Sequence, residues 1–348
     1  LIARGDLASI PLYAPQPLDG VTLDLRDNVS LWGPAPSAVA VVRDSSATQL
    51  AEYPSVSAAD LTATIADQLG VARDQVIAGC GSDDLIDAWL RACGSPGATV
   101  AHADPTFSML ATFARLNSLR PVGVALTRDG AMDVDALLAT RAPLIYVCSP
   151  NNPTGTVTPR TELLRLFDRA PGVVLLDEAY GEFSDAHDLR REAAARENVL
   201  VTRTFSKAWG LAGLRVGYAT GGRALVAAVA KARGPYKVNA LAERAAVAAL
   251  TNDAAWLAQV TTESRAARDR FVAGLEGRAG VRPWRSEGNF AFLQTAEPAV
   301  AVAAQFQARG IGVRAFSGLA GVGEAVRIGS APWTLLARAA DAAAGIWP

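Results

Sequence analysis

Cysteine, histidine and lysine are all scarce in this chain of 348 residues. The three cysteines are too few and too scattered for a disulfide framework, and with only two histidines, His102 and His187, no metal site is expected. The 33 basic residues balance 34 acidic ones without a basic stripe, so nucleic acid is not an expected partner. Apolar runs such as 172–176 are far shorter than the roughly 20 residues of a membrane span. No secretory signal is visible near the start, so we expect a soluble cytoplasmic protein with no membrane contact.

Arginine supplies nearly all of the positive charge, because the only lysines are Lys207, Lys231 and Lys237. Lysine can lose its proton and act as a nucleophile or form a Schiff base, which arginine effectively cannot do. Chance is a sufficient explanation for Lys231, which follows a helix-like stretch. Lys207 is different, because small hydroxyl residues precede it and glycines follow it.

From about residue 75, short β-rich runs alternate with amphipathic helical stretches. This alternation predicts an α/β fold whose large domain has a mostly parallel sheet with helices on both faces. After residue 241 the sequence becomes helical and Ala-rich and then returns to short strands, which predicts a smaller α/β domain formed with the N-terminal segment. The expected limits are 1–45 for that segment, 46–245 for the large domain and 246–348 for the small one. The predicted strands are 75–78, 99–102, 121–126, 144–148, 173–176, 199–202, 290–293, 311–314 and 325–328.

Two polar segments that follow predicted strands combine glycine or proline with hydrogen-bonding side chains. In residues 79–84 (Gly-Cys-Gly-Ser-Asp-Asp) the glycines allow a tight turn, and the helix start offers free N–H groups to a phosphate. A turn with Ser82 as an ordinary helix N-cap explains that segment equally well, and it lacks the third glycine of a dinucleotide fingerprint. Residues 149–155 (Ser-Pro-Asn-Asn-Pro-Thr-Gly) could direct Asn152 at a hydroxyl or phenolate oxygen, although by themselves they are more typical of a polar turn.

Two further segments at strand ends carry charge. One apolar strand ends in Asp177, whose carboxylate could pair with a cation such as a protonated pyridine nitrogen. Acids at strand ends also occur in metal and nucleotide sites. The segment Arg-Thr-Phe-Ser-Lys-Ala-Trp-Gly contains Lys207, which can form an imine with an aldehyde. Thr204, Ser206 and Arg215 offer hydroxyl and guanidinium groups to a phosphate.

In order and content these motifs resemble the fold-type I pyridoxal-phosphate enzymes, and most of all the histidinol-phosphate aminotransferase family, from about Asn28 to Gly329. The resemblance implies that pyridoxal 5'-phosphate is the cofactor, that Lys207 forms the Schiff base and moves protons, and that Asp177 pairs with the pyridinium nitrogen. It implies these further cofactor contacts: Asn152 and Tyr180 at the phenolic oxygen, Phe107 on the ring, and Ser82, Asp83, Thr204, Ser206 and Arg215 around the phosphate. Taken alone, Phe107 is more typical of a core residue. Tyr53 matches a tyrosine that reaches the cofactor phosphate of the neighbouring subunit, which implies a homodimer.

The same resemblance assigns substrate-binding residues. Arg327 matches the family's arginine that binds a substrate carboxylate or phosphate, and Arg314 matches a second anion-binding arginine, for which a solvated arginine is an equal alternative. The family's Asn-Glu-Asn-Pro, an apolar or aromatic residue and Gly-Pro are replaced here by Asn-Val-Ser-Leu-Trp-Gly-Pro, from Asn28 to Pro34. We expect Asn28 and Trp32 at the substrate, with Trp32 in an apolar wall. Because the acid is missing, a cationic imidazole loses its natural partner, and an aromatic or other amino acid competes with histidinol phosphate as the expected donor.

The implied function is that of a pyridoxal-phosphate-dependent aminotransferase of amino-acid biosynthesis. It would move an amino group from an amino acid or amino-alcohol phosphate to a 2-oxo acid, such as 2-oxoglutarate, by a ping-pong mechanism. The alternative within the fold is a lyase or decarboxylase similar to threonine-phosphate decarboxylases, because the motifs do not reveal which substrate bond breaks. A regulatory module without catalysis is disfavoured, since no DNA-binding segment is visible. A nucleotide-binding oxidoreductase would leave Lys207 unexplained.

Overall fold

The computed structural model describes residues 19–348, together with residues 7, 8, 10 and 12. Most of residues 1–18, the first part of the predicted N-terminal segment, therefore lies outside the described residues. The strands are β1 (Leu23–Asp24), β2 (Val76–Gly79), β3 (Thr99–Asp104), β4 (Arg120–Ala125), β5 (Leu144–Cys148), β6 (Val173–Asp177), β7 (Val199–Thr204), β8 (Gly217–Gly221), β9 (Val281–Trp284), β10 (Phe290–Thr295), β11 (Ile311–Gly312), β12 (Arg314–Leu319) and β13 (Gly323–Gly329). The α-helices are α1 (Pro36–Arg43), α2 (Ala47–Ala51), α3 (Ala59–Leu69), α4 (Gly81–Cys93), α5 (Met109–Leu116), α6 (Val134–Ala139), α7 (Arg160–Arg169), α8 (Arg190–Ala194), α9 (Arg223–Ala232), α10 (Ala240–Asn252), α11 (Ala254–Ala273), α12 (Ala299–Gln307) and α13 (Trp333–Ile346).

The larger sheet has seven strands in the order β2-β8-β7-β6-β5-β3-β4. Strand β8 runs antiparallel to both of its neighbours, and the pairings among β3 to β7 are parallel. The mostly parallel sheet predicted from the sequence is thus confirmed. The prediction missed β8, because its sequence Gly-Tyr-Ala-Thr-Gly has a glycine at each end, and glycine is depleted in strands and common in turns.

Side chains of the central strands alternate between the two faces of this sheet. On β5, Leu144, Tyr146 and Cys148 face the core formed with α4, α5 and α9, whereas Ile145 and Val147 face the core formed with α6, α7 and α8. This alternation is the normal consequence of strand geometry. Because both faces are covered, the strands are continuous apolar runs, and the prediction of helices on both faces is confirmed.

A smaller unit is built around the antiparallel sheet β12-β13-β10-β9, with α11, α12 and α13 packed on it. The predicted strand pair 311–314 and 325–328 was only partly right. Strand β11 pairs in parallel with β1 from the N-terminal segment, and β12 is the strand that pairs with β13. The short β1 could not be recognised from the sequence, because two residues show no periodicity.

The predicted domain limits stay a prediction, and the packing around them is instructive. Leu23 and Leu25 lie in the core of the smaller unit, whereas Ala35 and Ala38 pack with α3 and α10 of the larger one. The limit predicted at residue 245 falls inside α10, because α10 and α11 are both Ala-rich and only Asp253 separates them. Among the described residues, no helix has both the length and the apolar character needed to cross a bilayer.

Candidate active site

The carboxyl ends of β5, β6 and β7 meet beneath a cavity of about 420 Å³ that also touches the smaller unit. Since alternate side chains point to the same face, Cys148, Asp177 and Thr204 all face this cavity. It lies where ligands bind in sheets of this kind. These predicted residues line it: Ser82, Asp83, Phe107, Asn152, Asp177, Tyr180, Thr204, Ser206, Lys207, Arg215, Arg314 and Arg327.

Asp177 is a buried carboxylate at the end of β6. It accepts hydrogen bonds from Tyr146 Oη at 2.8 Å, the Ala179 backbone N–H at 3.1 Å and Thr202 Oγ1 at 3.3 Å, all from uncharged donors. Burial outweighs these bonds and raises its pKa to about 6. A desolvated carboxylate with neutral donors is stabilised by a cation placed in the cavity, and a protonated pyridine nitrogen is such a cation.

The amine of Lys207 lies across the cavity. Its Nζ donates to the backbone carbonyl of Asp27 at 2.7 Å and lies 5.9 Å from the centre of the Tyr180 ring. Burial and, after it, the charge of Arg327 lower the pKa of Lys207 to about 8, against the opposing charge of Asp27. A larger fraction of this amine is therefore unprotonated near neutral pH than for an ordinary lysine, as a nucleophile requires.

The start of α4 and the segment after β7 form a cup of hydrogen-bond donors. No side chain caps the N-terminus of α4, so its first backbone N–H groups are available to a phosphate. Arg215 donates to Ser206 Oγ at 3.3 Å and lies 3.5 Å from the Asp83 carboxylate. Gly81 has φ +79°, and a Cβ there would come within 2.7 Å of Arg215 Nη2, so this turn requires glycine.

Two arginines enter the cavity from the smaller unit. Arg314 and Arg327 are cross-strand partners on β12 and β13. Arg327 donates to Asn152 Oδ1 and to the Arg26 carbonyl, and its guanidinium lies between the rings of Phe290 and Phe316, 5.4 and 5.6 Å from their centres. Two guanidinium groups on one face create a site for a carboxylate or phosphate.

Tyr180 is held by one residue of the N-terminal segment and one of the smaller unit. Its hydroxyl accepts from Asn28 Nδ2 at 3.1 Å, and its ring packs edge-on against Phe290. Burial raises its pKa to about 12, so the hydroxyl keeps its proton at neutral pH and can donate it to an oxygen in the cavity.

Three predicted site residues do not line the cavity. Asn28 is buried behind it and reaches it through Tyr180. Trp32 donates its indole N–H to Glu263 on α11 at 2.8 Å instead of forming an apolar wall, because an indole N–H needs an acceptor. Tyr53 is 84% exposed and packs against Tyr236, with the ring centres 5.0 Å apart.

The cavity also contains residues that the sequence interpretation missed, chiefly Asp27, Cys148 and Phe316. Strand alternation could have identified Phe316, because it lies two positions after Arg314 on β12 and so shares its face. Cys148 ends the predicted strand 144–148, so its place at a strand end was the available signal. Asp27 contributes a backbone carbonyl, which no sequence pattern reveals. The remaining missed lining residues are Thr106, Ser108, Met109, Pro153 and Ala179.

Comparison with known proteins adds to this geometry. The family described as aminotransferase class I and II matches residues 22–334. The aromatic amino acid aminotransferase of Rhodococcus jostii is 38% identical over 90% of this chain and 88% of its own length. That of Thermobifida fusca is 39% identical over 90% of each chain. The crystal structure of histidinol-phosphate aminotransferase from Sinorhizobium meliloti, in complex with pyridoxal-5'-phosphate, superposes with a TM-score of 0.90 at 27% identity and covers 98% of this chain and 96% of its own.

Proposed function

Because the chain belongs to the aminotransferase class I and II family, it is a pyridoxal-phosphate-dependent aminotransferase, and we propose that its amino donor is an aromatic amino acid. One observation carries the proposal: Arg314, Phe316 and Arg327 project from adjacent strands into the same cavity. The guanidinium groups suit the carboxylate of an amino acid, and the phenyl ring suits an aromatic side chain. The names of the relatives from Rhodococcus jostii and Thermobifida fusca support this choice.

When bound, pyridoxal phosphate supplies an aldehyde that reacts with amines and a ring that withdraws electrons while its nitrogen is protonated. Lys207 would attach the cofactor and, once its amine is free, would remove the proton at the α-carbon of the substrate and deliver it to the former aldehyde carbon. A pKa of about 8 suits this role, because general acid–base catalysis works best when the pKa lies near the operating pH. Asp177 keeps the proton on the ring nitrogen, since its buried carboxylate is stabilised by that positive charge.

The remaining residues hold and orient the cofactor. Asn152 and Tyr180 would hydrogen-bond its phenolic oxygen, and Phe107 would pack on its ring. Asp83 contributes the backbone N–H at the start of α4, because its carboxylate would repel a phosphate. Ser82, Thr204, Ser206 and Arg215 donate to the phosphate from their side chains.

The reaction consists of two half-reactions at one site. In the first, the donor gives up its amino group and departs as a 2-oxo acid. In the second, a 2-oxo acid such as 2-oxoglutarate accepts that amino group and departs as an amino acid. Arg314 and Arg327 bind the carboxylate of either substrate in the same place. The amino group is thus transferred without the two substrates meeting, which is the ping-pong scheme.

The proposed active unit is a homodimer in the cytoplasm. Several large apolar side chains of α1, α2 and the loop after α2 are exposed, among them Val39, Leu50, Tyr53 and Val56, and an interface with a second copy would bury them. Tyr53 would reach the cofactor phosphate of the second copy. The cysteines at 80, 93 and 148 are free, as is usual in a reducing compartment.

The function is tested by spectroscopy with a panel of amines. The purified protein with added cofactor should show a visible absorbance band that is lost in Lys207→Ala. Phenylalanine or tyrosine should bleach this band, and 2-oxoglutarate should restore it. Bleaching by histidinol phosphate alone would contradict the proposed donor, and release of carbon dioxide without need for an oxo acid would identify a lyase.

The donor preference is tested by Phe316→Ala. We expect kcat/KM for phenylalanine to fall about two- to tenfold relative to that for alanine, because an aromatic pair contributes about 0.5–1.5 kcal/mol. Leu319→Ala is the matched control, since Leu319 belongs to the same strand and packs near Phe292, yet does not line the cavity. An equal effect of both substitutions would show that Phe316 acts through the fold alone.

A further inference from the structure

Beneath the cavity, on the opposite face of the sheet, a chain of buried polar side chains joins the ends of β5, β6 and β7. Ser149 Oγ lies 2.9 Å from His187 Nε2, and His187 Nδ1 lies 3.0 Å from Glu178 Oε1. Glu178 Oε2 in turn accepts from Arg203 at 2.8 Å. The side chains of His187 and Glu178 are 1% and 0% exposed, and Ser149 is fully buried.

The protonation of this network follows from its chemistry. Burial alone would raise the pKa of Glu178, but Arg203 and His187 outweigh it and hold that pKa below its usual value. Because an ionised carboxylate can only accept, His187 donates to it from Nδ1. Ser149 also accepts the backbone N–H of Thr158 at 3.0 Å, so it closes the loop between β5 and α7.

The arrangement resembles a catalytic Ser-His-acid triad in order, but it does not serve as one. Ser149 is fully buried, so no substrate could reach its hydroxyl. A buried network that is fully hydrogen-bonded instead rigidifies the elements that it joins. The function of this network therefore depends on the residues that adjoin its members.

Three of the four members are next to, or a few positions before, a residue of the active site, and His187 joins two of them. Glu178 follows Asp177, Arg203 precedes Thr204, and Ser149 opens the loop that carries Asn152. Because neighbouring residues on a strand point to opposite faces, the cavity side and the network side are two faces of the same strand ends. The backbone also joins them, since Ser149 N–H donates to the Asp177 carbonyl at 3.0 Å and Glu178 N–H to that of Thr202 at 3.0 Å.

We propose that the Ser149–His187–Glu178–Arg203 network positions the cofactor-binding residues, with Ser149 and His187 setting the loop that carries Asn152 relative to Asp177. Ser149 and His187 are positioning residues, because neither touches the reacting atoms. The inference rests on the proposed cofactor site and adds two residues to it. It also explains why one of only two histidines is buried away from the cavity.

The test removes the hydrogen bond between Ser149 and His187 by substituting each partner in turn. Ser149→Ala removes the hydroxyl, and His187→Asn is chosen to keep a donor to Glu178 while losing the contact with Ser149. Each variant should raise the dissociation constant of pyridoxal phosphate by about two- to tenfold, the equivalent of one hydrogen bond, and should weaken the visible band at fixed pH. The double variant should show no larger change than either single one, because both remove one interaction.

His102→Asn is the matched control, because His102 Nδ1 contacts only its neighbour's carbonyl, that of Ala103, among the described residues. This variant should bind the cofactor like the wild type. If Ser149→Ala and His187→Asn lower the melting temperature of the cofactor-free protein but leave the dissociation constant and the spectrum unchanged, the network is purely structural and the proposal is overturned. Effects that add in the double variant would overturn it as well. If the wild type itself shows no visible band, the proposed function fails, and that outcome is distinguishable from both.

Discussion

Arg314 on β12 stands directly opposite Arg327 on β13, and both face the cavity. Like charges in cross-strand positions destabilise a sheet. The position of Arg327 is maintained by Asn152, by the Arg26 carbonyl and by the rings of Phe290 and Phe316. The protein thus keeps an arrangement whose repulsion decreases when an anion binds between the two groups.

A carboxylate ligand should therefore stabilise the protein through this pair. We expect 3-phenylpropionate, which has a carboxylate and a phenyl ring but no amine, to raise the melting temperature of the wild type. Arg314→Gln should weaken its binding and raise KM for all amino donors by about 10- to 100-fold, because a hydrogen bond to a charged group contributes about 1.5–3 kcal/mol. Arg282→Gln, in the same sheet but outside the cavity, should leave both measurements unchanged.

The lowered pKa of Lys207 predicts how its reactivity depends on pH. In the cofactor-free protein, modification of Lys207 by a neutral aldehyde with reductive trapping, followed by mass spectrometry, should rise with a midpoint near pH 8 instead of 10.5. Arg327→Met should move the midpoint up, because the arginine charge disfavours the protonated amine. Asp27→Asn should move it down, because the carboxylate favours that form. A midpoint above pH 10 in the wild type would show that Lys207 is not desolvated.

The raised pKa of Asp177 predicts that a residue needed for activity weakens the cofactor-free fold. Its folded-state pKa of about 6 lies above the ordinary 3.8, so the folded state holds the proton more tightly than the unfolded state does. Ionisation of Asp177 therefore lowers the free energy of unfolding. This loss is absent below about pH 4, develops as the pH rises to 6, and reaches at most about 3 kcal/mol, since each unit of pKa shift is equivalent to about 1.36 kcal/mol. Asp177→Asn should therefore raise the melting temperature of the cofactor-free protein at pH 8, with no gain at pH 4, and should abolish transamination. Equal melting temperatures of the two proteins at pH 8 would contradict this account.

The proposed position of Tyr53 at the cofactor phosphate of the second copy predicts that each active site is completed by that copy. Tyr53→Phe should raise the dissociation constant of pyridoxal phosphate about tenfold, the equivalent of one hydrogen bond to a charged group. Tyr236→Phe, its ring partner, is the matched control and should not do so. When Tyr53→Ala and Lys207→Ala chains are unfolded and refolded together, each mixed dimer should contain one intact site, with Lys207 from one chain and Tyr53 from the other. The mixture should therefore be active, unlike the Lys207→Ala parent. It should also need less cofactor for activity than the Tyr53→Ala parent does. A monomer in sedimentation experiments would rule out this arrangement.

Much of the site was predictable because strand ends are local features. An apolar run followed by a polar residue marks the rim of a parallel sheet, and this pattern indicated Asp177 and the segments that carry Asn152 and Lys207, whereas the role of Asn152 came from the family resemblance. The carboxyl ends of parallel strands lie along the same edge of the sheet, so residues that follow different strands come together there. The meeting of these residues in one cavity therefore follows from the fold class alone. The prediction needed no knowledge of how the strands are ordered.

What could not be predicted depends on contacts between distant elements. Trp32 looked like part of an apolar wall, but its indole N–H is bound by Glu263, on a helix that no local pattern connects to it. Phe316 shares the strand face of Arg314, but its place beside Arg327 depends on the pairing of β12 with β13, which no local pattern reveals. The network around His187 joins residues from separate strands, and a single histidine in a sequence carries no sign of its partners.

Three consecutive residues, 26 to 28, each form a hydrogen bond with a side chain that lines the cavity. The Arg26 carbonyl accepts from Arg327, that of Asp27 from Lys207, and Asn28 bonds Tyr180, across sequence separations of 301, 180 and 152 residues. Contacts across such large sequence separations carry a high entropic cost, because long loops must close to form them. During synthesis the segment that emerges from the ribosome early must wait until residue 327 has been added. Catalytic competence is therefore a property of the finished chain, and an incomplete product would be inactive even if its large sheet had already formed.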